Sequence, residues 1–383
     1  MSVTAARGFR AAGIAAGIKH NGGRDLALVV NDGPSGAAAG VFTANRVQAA
    51  PVQWSRRILA DGTVRAVVLN SGGANACTGP RGLADTRATA EKAAGRLGLD
   101  TGQVAVCSTG LIGVPLPMER LLPGVEDAAG RLSEDGGEDA ARAVITTDTV
   151  HKTAAVTQGG WTVGGMAKGA GMLAPGLATM LVVLTTDADV DAGALDRALR
   201  AATRVTFDRV DSDGCMSTND TVLLLASGAS DVVPQYAEFA EAVRAVCADL
   251  ARQLVGDAEG ASKEIRVEVV GAASEDDAVE VGRSVARNNL LKCAVHGEDP
   301  NWGRVLSAVG TTSAAFAPDR LSVAINGVWV CKDGSVGEDR VLVDMTGREV
   351  RITVDLAEGA DHAVVWTNDL TADYVHENSE YSS

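Results

Sequence analysis

Aromatic residues and positive charge are both scarce in this sequence. Phe, Trp and Tyr together make up 3% of the 383 residues, and 34 Lys and Arg stand against 49 Asp and Glu, which gives a formal net charge of -15. Nucleic-acid binding relies on basic surfaces that contact phosphates and often on aromatic rings that stack on bases. The composition therefore argues against a nucleic-acid partner.

Paired cysteines and long apolar runs are also missing. The six cysteines include no CxxC pair and no close Cys/His cluster, which argues against a zinc site or a disulfide framework and predicts reduced thiols. No stretch is long and apolar enough for a signal peptide or a membrane span. We therefore expect a cytoplasmic protein.

The sequence has the hydrophobic content of a globular protein, at 46%, and is long enough for two or three packed units. Short β-rich runs alternate with helical patterns, so we predict an α/β fold, layered as α+β with mixed sheets. The predicted strands are 26–30, 66–69, 104–107, 180–184, 222–225, 265–270, 321–325, 350–356 and 363–367.

Helices and turns are predicted from spacing and composition. The clearest helix covers 234–254, where apolar residues recur every three or four positions. The polar and Gly-rich segment 133–139 predicts a surface loop, and the glycine pairs 72–73 and 164–165 predict tight turns. Polar and apolar residues alternate in 264–269, which is typical of a sheet with one solvated face.

The segment Lys168-Gly-Ala-Gly-Met-Leu-Ala-Pro-Gly-Leu-Ala-Thr179-Met180 is the most unusual in the chain, because a Gly-rich stretch leads directly into an apolar strand. A threonine hydroxyl is a weak nucleophile, but an N-terminal threonine supplies its own α-amino group as base. That amine titrates near about 7.7 to 8.0, so a neutral fraction exists at physiological pH. This role requires cleavage between Ala178 and Thr179. The alternative is that Thr179 only begins a strand, which its β-branched side chain favours.

This segment resembles the self-processing site of the ornithine acetyltransferase family, also called the glutamate N-acetyltransferases of arginine biosynthesis. The resemblance extends over essentially the whole chain. Further segments that resemble the family are Arg7-Gly-Phe-Arg-Ala-Ala-Gly13, Asn70-Ser-Gly-Gly-Ala-Asn-Ala-Cys-Thr-Gly79, Cys107-Ser-Thr-Gly-Leu-Ile-Gly113, Thr146-Thr-Asp148, Ser217-Thr-Asn-Asp220, Asp299-Pro-Asn-Trp-Gly-Arg304 and Glu377-Asn-Ser-Glu-Tyr-Ser-Ser383.

The resemblance implies an ornithine acetyltransferase-type fold that cuts itself into an N-terminal piece, 1–178, and a C-terminal piece, 179–383. The two pieces are expected to stay together through a shared core and to form a heterotetramer of two pairs. The implied reaction transfers an acetyl group from N2-acetyl-L-ornithine to L-glutamate by a ping-pong mechanism through acetyl-Thr179. No metal or prosthetic group is implied.

The resemblance also assigns roles to individual residues. Thr109 and Gly110 match the oxyanion hole, and a threonine hydroxyl beside a glycine N–H supplies the donors that a tetrahedral oxyanion needs, although Ser-Thr-Gly is more often a simple turn. The positions that match substrate-binding residues are Thr146, Lys168, Thr179, Glu259, Asn378 and Ser383. A lysine suits an α-carboxylate, and a glutamate suits the ammonium of an amino acid. Binding by Asn378 and Ser383 implies that the C-terminal tail folds back over the site.

Three alternatives remain open at this stage. Acetyl-CoA is a second acetyl donor for some members of the family, which would make the enzyme bifunctional. A self-processing N-terminal-nucleophile amidase or aminopeptidase would instead pass the acyl group to water. A non-catalytic amino-acid-binding protein would keep the fold with an uncut chain.

Overall fold

The computed structural model describes residues 2–174 and 180–380. The chain divides into two compact units, one made of Met1–Asp208 with Cys215–Leu254 and the other of Arg209–Gly214 with Val255–Ser382. These units do not coincide with the pieces 1–178 and 179–383 that self-cleavage would produce. The compact units are a division in space, whereas the two pieces are a division of the covalent chain, so neither excludes the other. The cut between Ala178 and Thr179 stays a prediction.

The described residues contain fifteen strands and ten α-helices. The strands are β1 (Phe9–Ile14), β2 (Leu26–Asn31), β3 (Ala38–Phe42), β4 (Ala66–Asn70), β5 (Val104–Ser108), β6 (Lys152–Gln158), β7 (Trp161–Lys168), β8 (Leu181–Thr186), β9 (Thr221–Ala226), β10 (Glu264–Ala272), β11 (Ser322–Ile325), β12 (Val328–Lys332), β13 (Ser335–Val336), β14 (Glu349–Asp355) and β15 (Asp361–Asn368). The helices are α1 (Ala50–Ile58), α2 (Gly79–Leu97), α3 (Met118–Gly130), α4 (Gly137–Val144), α5 (Ala192–Val205), α6 (Tyr236–Gly256), α7 (Glu275–Ala286), α8 (Asn289–His296), α9 (Trp302–Val309) and α10 (Ala372–Glu380).

The first unit contains two mixed sheets. One has the order β1-β2-β4-β5, with β4 and β5 parallel, and the other has the order β3-β9-β8-β7-β6, with β8 and β9 parallel. Strands β2, β4, β5, β8 and β9 are buried along their whole length. This explains why their sequences are continuous apolar runs rather than alternating ones.

Helix α1 covers the edge strand β5 with polar side chains. The Trp54 indole N–H donates to the Val104 carbonyl at 2.9 Å, and the Ser55 hydroxyl donates to the Val106 carbonyl at 2.7 Å. An exposed sheet edge leaves backbone groups unpaired, so these bonds replace the missing strand. They also fix β5, whose C-terminal end leads into the candidate site.

The prediction of a turn at the glycine pair 164–165 is wrong. Both glycines lie inside β7, which is buried along its whole length. A Cβ on Gly164 would stand 2.3 Å from the Ser2 carbonyl oxygen. Here glycine serves a close approach of two backbone segments rather than a turn.

The surface loop predicted for 133–139 is only partly confirmed, because α4 begins at Gly137. Its residues Ala140, Ala141, Ala143 and Val144 are fully buried in the core of the first unit. Glu138 and Asp139 occupy the first turn, where negative charge is favourable near the helix N-terminus. The acidic residues that suggested a loop therefore mark the start of a helix.

The second unit is built on a six-stranded mixed sheet with the order β13-β12-β11-β14-β10-β15. Buried and partly exposed residues alternate along β10 and β14, which confirms the predicted half-solvated sheet. Helix α7 packs against β10 and β15. Ser274 caps its N-terminus, because the Ser274 hydroxyl accepts a hydrogen bond from the Asp277 N–H.

The predicted layered α/β class with mixed sheets is confirmed. Each of the nine predicted strands overlaps an observed one, and the helix predicted for 234–254 is α6. Strands β1, β3, β6, β7 and β13 were missed, because their Ala, Gly and polar residues give no clear apolar run. Strand β12 was missed although Val328 to Cys331 are apolar. In the described part of the chain, no helix combines the length and apolar character that a membrane span requires.

Candidate active site

The loop that carries Thr109 begins where β4 and β5 end side by side. Asn70 and Ser108 are register partners, and the Asn70 side-chain amide donates to the Ser108 hydroxyl at 2.6 Å. The Thr109 N–H donates to the Asn70 carbonyl at 2.9 Å. These contacts hold the backbone rigidly up to Thr109, whose side chain is buried.

Gly110 occupies a backbone conformation that excludes other residues. Its φ is 130°, and a Cβ there would stand 2.8 Å from the Gly73 nitrogen. The two loops are joined on either side of this position, by bonds from the Gly73 N–H to the Thr109 carbonyl at 2.9 Å and from the Ala74 N–H to the Leu111 carbonyl at 3.0 Å. The Gly110 N–H itself has no hydrogen-bond acceptor among the residues that the structure describes. It is therefore a donor available to a ligand.

Lys168 is the last residue of β7 and is 2% exposed. Its Nζ donates to the Thr109 Oγ1 at 3.3 Å. An ammonium group only donates, so the Thr109 oxygen accepts from it and the hydroxyl proton points elsewhere. The Thr109 O–H and the Gly110 N–H are thus two adjacent donors, as the predicted oxyanion hole requires.

Asp148 organises this part of the site, and sequence reasoning assigned it no role. Its carboxylate accepts hydrogen bonds from the Thr146 N–H at 3.0 Å, the Gly169 N–H at 2.6 Å and the Lys152 Nζ at 2.7 Å. Burial opposes the charged form, but Lys168, Lys152 and the Thr146 N–H outweigh it and lower the pKa of Asp148 to about 2. Its position in the Thr146-Thr-Asp148 motif was the available signal.

The loop before β9 connects the segment that contains Ala74 with the segment that contains Ser108. The side-chain amide of Asn219 donates to the Ala74 carbonyl at 2.6 Å and to the Ser108 carbonyl at 2.7 Å. All three residues are buried. Asn219 therefore fixes the spacing of the two loops that meet at Gly110, a role that the Ser217-Thr-Asn-Asp220 motif did not disclose by sequence.

The proposed cleavage site, Ala178 and Thr179, lies outside the described residues, which resume at Met180. The Met180 N–H donates to the Asp220 Oδ1 at 3.0 Å. Leu181 begins β8 and is the register partner of Lys168. The chain that directly follows Thr179 is therefore held beside the strand end that carries Lys168.

Two further predicted site residues meet in the second unit. The Asn378 side-chain amide donates to the Glu259 Oε2 at 2.9 Å. Helix α10, which carries Asn378, is anchored near its start by the Thr371 hydroxyl, which donates to the Gly260 carbonyl at 2.7 Å. The C-terminal segment therefore folds back onto the loop that carries Glu259. Ser383 lies outside the described residues.

His296 of the second unit lies near both a serine and an aspartate, but the three do not form a catalytic triad. The Ser262 Oγ and the Asp369 Oδ2 approach the same ring nitrogen, Nδ1, at 3.2 and 3.0 Å. The Ser262 hydroxyl also donates directly to Asp369. A triad needs the serine and the carboxylate at opposite ring nitrogens.

Within residues 2–174 and 180–380, no three His, Cys, Asp or Glu side chains are grouped so that they could hold a metal ion. The predicted site residues thus fall into two sets among the described residues. Thr109, Gly110, Thr146 and Lys168 come together in the first unit, and Glu259 meets Asn378 in the second.

Comparison with known proteins relates the chain to one family. The ArgJ family model matches residues 10–383. The chain is 78% identical to the arginine biosynthesis bifunctional protein ArgJ of Streptomyces avermitilis and 64% identical to that of Thermobifida fusca, and each alignment covers all of both chains. It is also similar to a chain in the crystal structure of ornithine acetyltransferase complexed with ornithine from Mycobacterium tuberculosis. That match has 56% identity and a TM-score of 0.45, and it covers 47% of this chain and 96% of the other.

The family model and the full-length relatives agree with the resemblance found in the sequence motifs, which is thereby confirmed. The chain belongs to the ArgJ family.

Proposed function

We propose that this chain transfers an acetyl group from N2-acetyl-L-ornithine to L-glutamate in arginine biosynthesis, through an acetyl ester on Thr179. Membership of the ArgJ family supports an acetyltransferase of this pathway. The single structural observation that carries the mechanism is the pair of adjacent donor groups on Thr109 and Gly110.

The proposed first step is self-cleavage. The Thr179 Oγ attacks the Ala178 carbonyl carbon, the peptide C–N bond breaks, and the acyl group passes from nitrogen to oxygen as an ester. Water then hydrolyses this ester and leaves Thr179 with a free α-amino group. The reaction converts a threonine within the chain into one that carries its own base.

In the proposed transfer, the α-amine of Thr179 takes the hydroxyl proton while Oγ attacks the acetyl carbonyl. The Thr109 hydroxyl and the Gly110 N–H donate to the developing oxyanion. The C–N bond to ornithine then breaks, the ornithine amine takes the proton, and the acetyl group stays on Oγ. The amine of glutamate attacks this ester, and N-acetylglutamate leaves with Thr179 restored.

The remaining residue roles are part of the same proposal. Thr146 and Lys168 would bind one end of the substrate in the first unit, and the Glu259 carboxylate would complement an ammonium group. Ser383 and the heterotetramer of two N-terminal and two C-terminal pieces stay predictions, as do the cytoplasmic location, the absence of a prosthetic group and the use of acetyl-CoA. Parallel assays with acetylornithine and acetyl-CoA as donors decide the last of these.

The experiment that tests the proposal compares the wild type with Thr179→Ala and Thr179→Ser. We expect the wild type to run as two fragments, with Thr179 first in the second one, and that fragment to gain one acetyl group on incubation with acetylornithine alone. Thr179→Ala should stay uncut and unacetylated, whereas Thr179→Ser should retain both reactions at reduced rates. Activity in Thr179→Ala would contradict the proposed nucleophile.

The same preparations separate the alternatives. An amidase or aminopeptidase would release acetate at a rate independent of glutamate, whereas the transferase should form N-acetylglutamate in step with ornithine. A binding protein would bind an amino acid and show one persistent band.

A further inference from the structure

Asp220 is a buried carboxyl group that the proposed mechanism does not use. It is 0% exposed and lies directly before β9. Its Oδ1 accepts the hydrogen bond from the Met180 N–H at 3.0 Å, while its Oδ2 is buried with no hydrogen-bond partner among the described residues. A buried oxygen without a hydrogen-bond partner costs folding free energy, so we expect this carboxyl group to have a role.

The backbone around Asp220 holds it against the start of β8. Thr221, the next residue, is the register partner of Leu181, and its N–H donates to the Met180 carbonyl at 3.1 Å. The Asp220 carbonyl accepts a hydrogen bond from the Thr43 N–H at 3.0 Å. Met180 therefore makes hydrogen bonds through both its N–H and its carbonyl. The Asp220 backbone is held in turn by Thr43, the residue that follows β3.

We propose that Asp220 is a positioning residue for Thr179, acting through the Met180 amide. This inference rests on the proposed function, since it takes Thr179 as the nucleophile. The Met180 nitrogen is bonded covalently to the Thr179 carbonyl carbon. A hydrogen bond that fixes this amide restricts the attachment point of the nucleophilic residue. A misplacement of about 1 Å lowers a rate about a hundredfold, so such a restraint matters for catalysis.

The protonation state of Asp220 also affects the Thr179 α-amine, which is the proposed base. Burial raises the pKa of Asp220 well above its ordinary value, and the Met180 N–H, Lys168 and the nearby side chains of Ser217 and Thr43 offset this only in part. A charged carboxylate near the Thr179 α-amine would raise the pKa of that amine and favour its protonated form. The raised pKa of Asp220 favours its uncharged form, which does not raise the pKa of the amine.

The test uses the full chain with Asp220→Ala and Asp220→Asn, and counts active sites by the burst of acetyl-enzyme. In Asp220→Ala we expect kcat per titrated site to fall about tenfold to a hundredfold while KM for acetylornithine changes less than about threefold. A folded Asp220→Ala chain that fails to cut itself also supports the proposal, because self-cleavage uses the same hydroxyl. A merely structural role would lower only the folded fraction of the chain, while the folded molecules would cut themselves and keep an unchanged kcat per site, which would overturn the inference.

Asp220→Asn keeps an acceptor for the Met180 N–H and is uncharged at every pH. Its kcat per site should stay within about threefold of the wild type, and the acid limb of its kcat–pH profile should not move. A shift of the acid limb to lower pH would mean that Asp220 is charged in the working enzyme. A fall in kcat per site as large as that of Asp220→Ala would mean that the acceptor for the Met180 N–H is irrelevant. Either result overturns the inference, even if Asp220→Ala does not fold.

The failure of this inference is distinguishable from that of the proposed function. A wild-type chain that neither cuts itself nor forms acetyl-enzyme overturns both. A wild type that does both, together with an Asp220→Ala variant of normal kcat per site, overturns the role of Asp220 alone.

Discussion

The Nζ of Lys168 donates a hydrogen bond to the Oγ1 of Thr109 at 3.3 Å, although the two residues are 59 positions apart. Lys168 ends β7, and Thr109 directly follows β5, a strand of the other sheet of the first unit. The contact directs the Thr109 hydroxyl proton away from Lys168, because the ammonium group occupies an acceptor site of the oxygen. We therefore expect Lys168 to support the proposed oxyanion hole in addition to the substrate-binding role that the family resemblance assigns to it.

Replacement of Lys168 by Met should lower kcat about tenfold to a hundredfold, because one proposed oxyanion donor loses its orientation, and should also raise KM, because the ammonium group is a proposed substrate contact. Steady-state kinetics with acetylornithine and glutamate measure both constants. Thr109→Val should lower kcat by about a hundredfold or more, and Thr109→Ser is the control that keeps the hydroxyl.

A double-mutant cycle then shows whether the two residues act together. If Lys168 works through Thr109, the variant with both Lys168→Met and Thr109→Val should lose little more than Thr109→Val alone. Additive losses, or a large rise in KM with kcat intact, would instead assign the ammonium group to the substrate.

Gly110→Ala should lower both stability and activity. The side chain would have to adopt a φ of 130° and would clash with the Gly73 backbone, a strain of about 1 to 3 kcal/mol. Displacement of the Gly110 N–H should lower kcat about a hundredfold. Gly95→Ala within α2 is the matched control, since a Cβ there meets no atom within 4 Å. It should stabilise the helix by roughly 0.5 to 1 kcal/mol and leave kcat unchanged. Denaturant unfolding and steady-state kinetics test both variants.

Asp148 should contribute a stability that acid removes. Its pKa is lowered to about 2 in the folded chain, so the contribution is complete above its ordinary value of 3.8 and is lost as the pH falls through 2. We expect the difference in free energy of unfolding between the wild type and Asp148→Asn to shrink by about 2 kcal/mol between pH 4 and pH 2.

Denaturant unfolding at a series of pH values measures this difference. The exposed Asp319→Asn controls for the loss of one negative charge and should follow the wild type. A constant difference between the wild type and Asp148→Asn would show that the carboxylate of Asp148 is not held in its charged form by folding.

Glu259→Gln should weaken binding of the substrate ammonium group. We expect KM for acetylornithine to rise about tenfold, equivalent to about 1.4 kcal/mol, with little change in the melting temperature because Glu259 is partly exposed. Asn378→Ala, which removes the partner of Glu259, should give a smaller rise in the same direction. Ser379→Ala on the same helix is the control and should not change KM. An unchanged KM in Glu259→Gln would remove this residue from the substrate site.

Local sequence was sufficient for the features that depend on neighbouring residues. The apolar runs that became β2, β4, β5, β8 and β9 were recognisable because both faces of these strands are buried. Strand β7 was not, because its Gly-Gly pair has the composition of a turn, and only the approach of Ser2 explains it. Helix α4 was hidden in the same way by polar residues at its first turn.

The sequence by itself determined the family and the identities of the candidate reacting groups. The sequence of the segment from Lys168 to Met180 gives the order and type of its residues, and the chemistry that a group can perform depends first on residue type. Only the tertiary structure decided which of these groups act on one another. Asn219 received its two carbonyl partners from chain segments distant in sequence, and burial by the packed chain raised the pKa of Asp220. The lowered pKa of Asp148 depends on Lys168, twenty residues away, as well as on the neighbouring Lys152 and Thr146. Burial and hydrogen bonding set such properties, and both depend on how distant segments pack together.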